Sequence, residues 1–508
     1  MHSDESGMVR MISSLSPAAS GQLRHSWRDK ASAGSGLSPV VVLYLIAVFV
    51  PISIDVGTLV LSGLRLVLLI MFVPLLYWLF SGRAGRLLPA DFLFLAHSAW
   101  ICIALAVNNP LLFVENSGST VAEFLGGYLI ARIYIRKAQD FIRVCKILFV
   151  MILITIPFAL KESNDGIALI PSLIDKFPPF SSVADVSTPQ RMGLERSQVV
   201  FAHPIHYGLF CSVGMTLALI GLRGVLLHIT RYLVAILIGL GVFLSLSSGA
   251  LLAMLMQLCL VAWAFVFRNV KNRWIILLLM TALVYVAVDL GSNRTPLRVF
   301  FTYATFSSHN AYWRGIIFEW GMINVWANPI FGLGLRDWVR PFYMYSGSMD
   351  NFWLVMAVRY GIPGFLLIAL GYADILFRVM LKKVDDPLVA QLRLAWVITF
   401  VGLSFTLSTV HIWTAIYSFV FFLLGCGAWI ANSEHNAARS ADRDSLVQAR
   451  LPRHFSRFPP IEDDKSATDS SDEESQSVPT ESARADSRDG RRDNLRHTRF
   501  EDKRGRHR

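Results

Sequence analysis

The chain has 508 residues, of which 54% are apolar and 16% charged, and its mean hydropathy is +0.50. A soluble domain needs more charge on its surface, so this composition excludes a soluble enzyme or binding module for most of the chain and implies a polytopic membrane protein. The net charge of +11 sits beside the apolar runs as a positive-inside bias, so no nucleic-acid partner is expected.

Twelve apolar runs, each near the ~20 residues that a ~30 Å hydrocarbon core requires, predict twelve transmembrane helices. They lie near 38–55, 58–80, 90–107, 118–134, 141–160, 200–221, 229–246, 249–267, 273–290, 351–375, 391–409 and 411–431. The loops "SGRAGR", "ARIYIRK", "GLRGVLLHITR", "RNVKNR" and "FRVMLKK" are basic and alternate with the remaining loops, which predicts that both termini face the cytoplasm. Residues 1–36 are polar and are expected to form a disordered cytoplasmic N-terminus. No clear cleavage site follows them, so the first helix is expected to be retained.

Residues 37–431 then form the transmembrane domain, and 432–508 a disordered cytoplasmic tail. Its blocks "DDKSATDSSDEESQSVPTES" and "RRDNLRHTRFEDKRGRHR" carry too few aliphatic residues to bury a core. The tail reads as a solvated segment or as a docking segment for a cytoplasmic partner or an anionic membrane surface. All five cysteines fall in apolar runs, as small hydrophobes and not as a disulfide framework or metal site.

Two stretches, 161–199 and 291–350, are predicted to be outer loops. The first runs into "RMGLERSQVVFAHPIHYGLF", with Arg191 and Arg196 before the span and His203 and His206 entering it. The two histidines are three apart and could share a helical face, but no cysteine or carboxylate cluster accompanies them, so no metal is expected. There is no Walker A loop, no HExxH and no nucleotide fingerprint, so no cofactor is expected, and energy must come with the substrate or from a gradient.

The second loop is rich in aromatics and carries Arg294, Arg298, Arg314, Arg336 and Arg340 without a lysine. Guanidinium forks hold phosphate or carboxylate bidentately. Residues 311–327 have the length of an amphipathic helix, with Trp313, Ile316, Ile317, Trp320 and Ile323 on one face. "ANPIFGLG" stops that helix and turns the chain. Next comes "SMDNFWLVMAVRYGIPGFLL" (348–367), a span interrupted by Arg359, Gly361, Pro363 and Gly364. Asp350 is expected to cap this helix or to act as a base. Arg359 lies inside the span, where charge marks a functional cavity. Pro363 leaves carbonyls near 359 and 360 unpaired, which is tolerated where the backbone lines protein or a water-filled cavity.

The order "SLSSGALLAML" (245–255), "YWRGIIFEWG…ANPIFGLG" (312–334) and "SMDNFWLVMAVRYGIPG" (348–364) resembles the O-antigen ligase and polysaccharide polymerase superfamily of bacterial envelopes. The resemblance implies a GT-C-like, all-α polytopic membrane glycosyltransferase with about twelve transmembrane helices and a large outer-face loop. It implies transfer of a glycan, with inversion, from undecaprenyl diphosphate to an acceptor hydroxyl at the outer face of the inner membrane, without metal or nucleotide. Arg314 matches the family arginine that opens the loop helix and is expected to contact the diphosphate. Asp350 stands where ligases show the histidine of a His-Asn pair. Ser247 and Ser248 stand where many members read Ser-Arg, and Arg359 is expected to restore the missing charge.

Arg196, Arg336 and Arg340 are further substrate-binding candidates, and His203 and His206 are alternative bases. Trp313, Trp338, Tyr343 and Tyr345 could stack on sugars or anchor the loop at the interface. The departures favour a polymerase of exopolysaccharide, capsule or O-antigen. Ligase-type transfer to another acceptor is the alternative, and a transporter or flippase of lipid-linked sugars is the rival from another class. The expected partners are a lipid-linked glycan donor and acceptor, the bilayer, and a chain-length regulator or export complex.

Overall fold

A computed structural model of the chain describes residues 36–57, 59–291 and 308–432. The expectations for the segment before residue 36, for the tail beyond 432 and for Arg294 and Arg298 fall outside these residues. The chain runs through α1 (Pro39–Phe49), β1 (Ser53–Val56), β2 (Leu59–Ser62), α2 (Gly63–Phe80) and α3 (Pro89–Asn108). Next, α4 (Phe113–Val121) passes through a π-helical turn at Ala122–Gly126 directly into α5 (Gly127–Tyr134). After these come α6 (Ala138–Asp165), α7 (Leu169–Ile174), β3 (Phe180–Ser181) and α8 (Pro204–Gly221), whose last turn is also π-helical. The remaining elements are α9 (His228–Leu244), α10 (Ser248–Val266), α11 (Arg273–Gly291), α12 (Ser308–Ala327), α13 (Phe352–Leu381), α14 (Pro387–Leu407) and α15 (Thr414–Ala431).

Among the described residues nine helices, α2, α3, α6, α8, α10, α11, α13, α14 and α15, are long and apolar enough to cross a membrane. The chain is thus a mostly helical multi-pass membrane protein. The other three predicted spans are helical but differ from expectation. Helix α1 has 11 residues and α9 has 17, while the run at 118–134 lies in the compound α4–α5 helix. Twelve full-length spans are therefore not reached by length and hydropathy.

The ends of the first two runs form a hairpin instead of helix. Pro51 cannot continue α1, and Gly57, at φ 64°, turns β1 back onto β2. β1 also pairs with β3, where the hydroxyls of Ser53 and Ser181 meet at 2.9 Å. Helix α11 buries none of its side chains, which suits an apolar helix surrounded by lipid.

The core is aromatic. Phe94 of α3 meets Phe124, Tyr128 and Phe421 edge-on, with centroids 4.8–5.8 Å apart, and Gly371 lets α13 close onto the same ring. The basic loops at 81–88 and 132–137 meet at one end of the bundle, where Arg136 donates to the Arg83 carbonyl at 2.6 Å. There the buried Arg132 donates to Asp91 at 3.0 Å and to the carbonyls of Ala84 and Arg86. A buried ion pair of this kind is tolerable because its donors are satisfied. α3 and α8 run from that region to and from the opposite end, where the connections 109–112, 191–203, 245–248, 328–351 and 408–413 converge. Three of the cysteines are buried, Cys102 is half-buried and Cys259 is exposed; all five are free.

Candidate functional site

The interrupted helix is the pivot of this end. Gly361 leaves helical geometry (φ 72°, ψ 178°) inside α13. The carbonyls released by the break are all taken up. Val358 O accepts from Leu333 N–H at 2.8 Å, Arg359 O from Gly334 N–H at 2.9 Å, and Tyr360 O from the Trp100 indole N–H at 2.9 Å. Ile362 N–H donates to Pro329 O at 2.8 Å. The "ANPIFGLG" turn is thus docked edge-on into the gap, which satisfies backbone that could not be left bare at this depth. The docked loop is also tied to α3, because Leu335 N–H donates to Asn109 Oδ1 at 2.8 Å and Arg336 to Asn108 Oδ1 at 2.7 Å.

Helix α12 packs on α13 through Gly321 against Leu354. Its buried face is Ile317, Gly321, Asn324 and Val325, with Trp313 and Trp320 half-buried. Ile323 is 50% exposed, contrary to the expected apolar face. The inward position at the next register belongs to Asn324, whose amide accepts from Val339 N–H at 2.9 Å and donates to Val339 O at 2.8 Å. This polar clamp fixes the chain that follows, and an apolar-periodicity reading had no means of finding it.

Two adjoining cavities open here, of about 650 and 530 Å³. They share His203, Ile205, Ser348, Asp350 and Val410 in their walls. The smaller, the arginine lobe, is lined by Arg191, Arg196, Arg314, Ser247 and Ser248. The larger, the tryptophan lobe, is lined by Arg336, Asp337, Trp338, Arg359, His411 and Trp413. Asp350 therefore stands at the junction with one candidate base, His203, while Arg196 and Arg314 line one lobe and Arg336 and Arg359 the other.

The arginine lobe is held by main-chain contacts. Arg191 donates to Leu246 O at 2.6 Å and Arg196 to Ser245 O at 3.4 Å. Leu246 sits at φ 45°, so the "SLSS" turn is tight, and Gly208 lets α8 approach Ser245 and Ala250. None of Arg191, Arg196 and Arg314 is ion-paired to a carboxylate among the described residues. Burial lowers the affinity of each for its proton. For Arg196 the pKa falls to about 10, with Arg191 adding to the effect and Asp350 opposing it. A half-buried cluster of three guanidiniums facing one carboxylate is short of negative charge, and an anionic ligand would supply it.

Asp350 does not cap α13. The N-cap is Asn351, whose side chain accepts from Leu354 N–H at 3.1 Å. The Asp350 carboxylate instead accepts from Ser348 Oγ at 2.9 Å and faces both lobes. His203 is the N-cap of α8, and its Nδ1 accepts from Ile205 N–H at 3.1 Å. The neutral ring therefore carries its proton on Nε2 and offers the cavity a donor, not a base. Its pKa is held down to about 4, first by burial and then by Arg196, against Asp350.

His206 lines neither lobe. It is 1% exposed and packs on Trp413 with centroids 4.0 Å apart, so the ring sits one layer beneath the wall. Arg340 also stays out of the lining; it pairs with Asp337 at 2.6 Å and donates to Met344 O. Arg359 opens onto the tryptophan lobe and not onto Ser247 and Ser248, so the guanidiniums beside those serines are Arg191, Arg196 and Arg314.

Arg191, His411 and Trp413 are lining residues outside the sequence candidates. In the sequence Arg191 stands out only as a charge preceding a span. His411 and Trp413 lie in the connection Ser408–Trp413 that the sequence reading partly absorbed into an apolar run; a His-x-Trp at the mouth of a helix was the available signal. Among the described residues no group of three or more His, Cys, Asp or Glu side chains is placed to hold a metal ion.

No curated protein matches the chain. Residues 233–369, from α9 to the first half of α13, match the family described as O-Antigen ligase. Arg314, Arg336, Asp350 and Arg359 fall inside that match, whereas Arg191, Arg196 and His203 precede it. The match supports the resemblance of this part of the chain to the O-antigen ligase and polysaccharide polymerase superfamily.

Proposed function

We propose that the protein is a polysaccharide polymerase that transfers a glycan from a polyprenyl diphosphate carrier to a hydroxyl of a lipid-linked repeat unit. The observation that carries this reading is the cluster of Arg191, Arg196 and Arg314, three guanidiniums without an ion-paired carboxylate among the described residues, set beside a single shared carboxylate, Asp350. The arginine lobe takes the donor diphosphate, and the tryptophan lobe takes the acceptor sugar.

In the step, the acceptor hydroxyl oxygen attacks the anomeric carbon and forms the new C–O bond. The bond from that carbon to the diphosphate oxygen breaks, and its electron pair leaves with the carrier diphosphate. Asp350 accepts the hydroxyl proton. Fixed guanidiniums in a partly dry cavity stabilise the developing negative charge more strongly than water-exposed ones. His203 Nε2–H serves as a hydrogen-bond donor to substrate oxygens at the junction. The reading places the two lobes at the outer face of a bacterial inner membrane, with the basic loop end and both termini in the cytoplasm, in keeping with the positive-inside bias.

Chain length in a deletion strain tests this. The strain is complemented with wild type, Arg314→Ala or Asp350→Asn, each verified for membrane abundance. Loss of long chains with accumulation of single lipid-linked repeats in both variants is the expected result. Normal long chains left unattached to their final acceptor would assign ligase-type transfer instead, and unchanged glycan in the full deletion would overturn the enzymatic reading in favour of transport.

A further inference from the structure

The transfer just proposed uses three arginines for the diphosphate and leaves Arg336 and Arg359 without a task. Both are exposed on the wall of the tryptophan lobe. Arg359 has no carboxylate partner among the described residues, and its guanidinium neighbours the Tyr360 hydroxyl. Arg336 donates to Asn108 Oδ1 and to the Leu333 carbonyl. These are neutral acceptors that leave its charge unbalanced. The carboxylate on the same wall, Asp337, is engaged by Arg340 at 2.6 Å.

Position 359 is not adrift. Its carbonyl is pinned by Gly334, its main chain lies against Gly332, and Arg336 is tied to α3. Two uncompensated guanidiniums are thus held on a rigid wall. Beside them the indoles of Trp338, 7% exposed, and Trp413 line the same lobe and give it apolar wall against which a pyranose ring can pack. This combination differs from that of the arginine lobe. It joins aromatic wall to a planar fork that suits a carboxylate.

We propose that the tryptophan lobe selects an acceptor sugar that bears a carboxylate, such as a hexuronic acid. Arg359 and Arg336 hold the carboxylate, while the attacking hydroxyl is presented to Asp350. This inference rests on the assignment of the arginine lobe to the donor.

The test uses the full chain in lipid nanodiscs and ligand-observed NMR. Methyl glucuronide and methyl galacturonide are compared with their neutral glycosides by saturation transfer, and inorganic pyrophosphate is followed by phosphorus line broadening. At least one uronide is expected to bind about tenfold or more tighter than its neutral counterpart, the scale of one charge-assisted hydrogen-bonded contact. That preference should vanish in Arg359→Gln, weaken in Arg336→Gln and persist in Arg314→Gln. Pyrophosphate binding should show the reverse dependence, lost in Arg314→Gln and kept in Arg359→Gln.

Equal binding of uronides and neutral glycosides by the wild type overturns the proposal. So does pyrophosphate binding that depends on Arg359, which would make the lobe a second diphosphate site. Pyrophosphate binding indifferent to Arg314 removes the donor assignment instead, and that failure is read independently of the uronide preference.

Discussion

The amide of Gly334 donates a 2.9 Å hydrogen bond to the carbonyl of Arg359, so the turn after α12 repairs the helix that Pro363 and Gly361 interrupt. The repair depends on residues without a Cβ. Gly361 and Gly332 sit at φ 72° and 64°; a Cβ on the first would collide with the Ile330 carbonyl and one on the second with the Arg359 main chain. Gly361→Ala should therefore cost more than the ~1–3 kcal/mol of a side chain forced into this glycine-only backbone region, because the Ile330 backbone must also move. Thermal unfolding in nanodiscs would show a lowered midpoint. An unchanged midpoint together with unchanged polymer length would show that the docked turn is dispensable.

The capping and chemical roles at the start of α13 belong to different residues, and mutation should separate them. Asn351→Ala removes the side-chain cap and should cost ~1 kcal/mol of stability while retaining most of the activity. Asp350→Asn leaves the cap in place, so stability should hold while the transfer rate drops by ~10²–10⁴-fold, the usual contribution of a general base. Donor binding to the arginine lobe should persist. If Asn351→Ala abolished transfer and Asp350→Asn did not, the assignment of the base would be reversed.

The break in α13 was legible because Gly361, Pro363 and Gly364 are local signals, and so was the end of α12 at "ANPIFGLG". That the second feature fills the first was not, because the hydrogen bonds between 329–334 and 358–362 join segments whose pairing leaves no periodic trace. Asp350 and Asn351 are equally good caps by composition, and only the backbone geometry chooses between them. The arginine lobe was half legible. Arg314 and Arg196 stood out as outer-loop charges, but their convergence on the "SLSS" turn requires α8, α10 and α12 to be packed. His411 and Trp413 were hidden by their apolar neighbours, Val410 and Ile412, which let the window average run through them. The β1–β2 hairpin was hidden likewise, since its Ile, Val and Leu residues score as span.

Glu162 should prove to be a positioning residue for the arginine lobe, although it lines neither lobe. Its carboxylate accepts from Gln198 N–H at 2.7 Å and from Val199 N–H at 2.9 Å, and Val199 is held at φ 56°. Those amides lie between Arg196 and His203, so the carboxylate fixes the segment that carries both. Glu162→Ala leaves two buried amides without a partner, and each such loss costs ~1–3 kcal/mol. Glu162→Gln retains one acceptor oxygen and should be intermediate. A positional role predicts weaker pyrophosphate binding in Glu162→Ala with the uronide preference intact. A purely structural role would lower both together.

Stability should fall on mild acidification, for a reason that can be traced to two rings. The His203 pKa is held down to about 4, first by burial and then by Arg196, and that of His411 to about 3, first by burial and then by Arg359. In the unfolded chain both protonate near ~6.5. Below that value the unfolded state binds more protons than the native state, so the unfolding free energy rises with pH across this window. The contribution is complete above about pH 6.5 and is lost as the pH falls toward about 4. The thermal midpoint in nanodiscs should therefore drop between about pH 7.5 and about pH 5, and the drop should shrink in the double variant His203→Asn, His411→Asn. Because His203 stays neutral between about pH 5 and 8, the transfer rate should show no inflection near 6.5 that depends on it. A rate profile with such an inflection in wild type but not in His203→Asn would show that the ring titrates there, and His203 would return as a candidate acid or base.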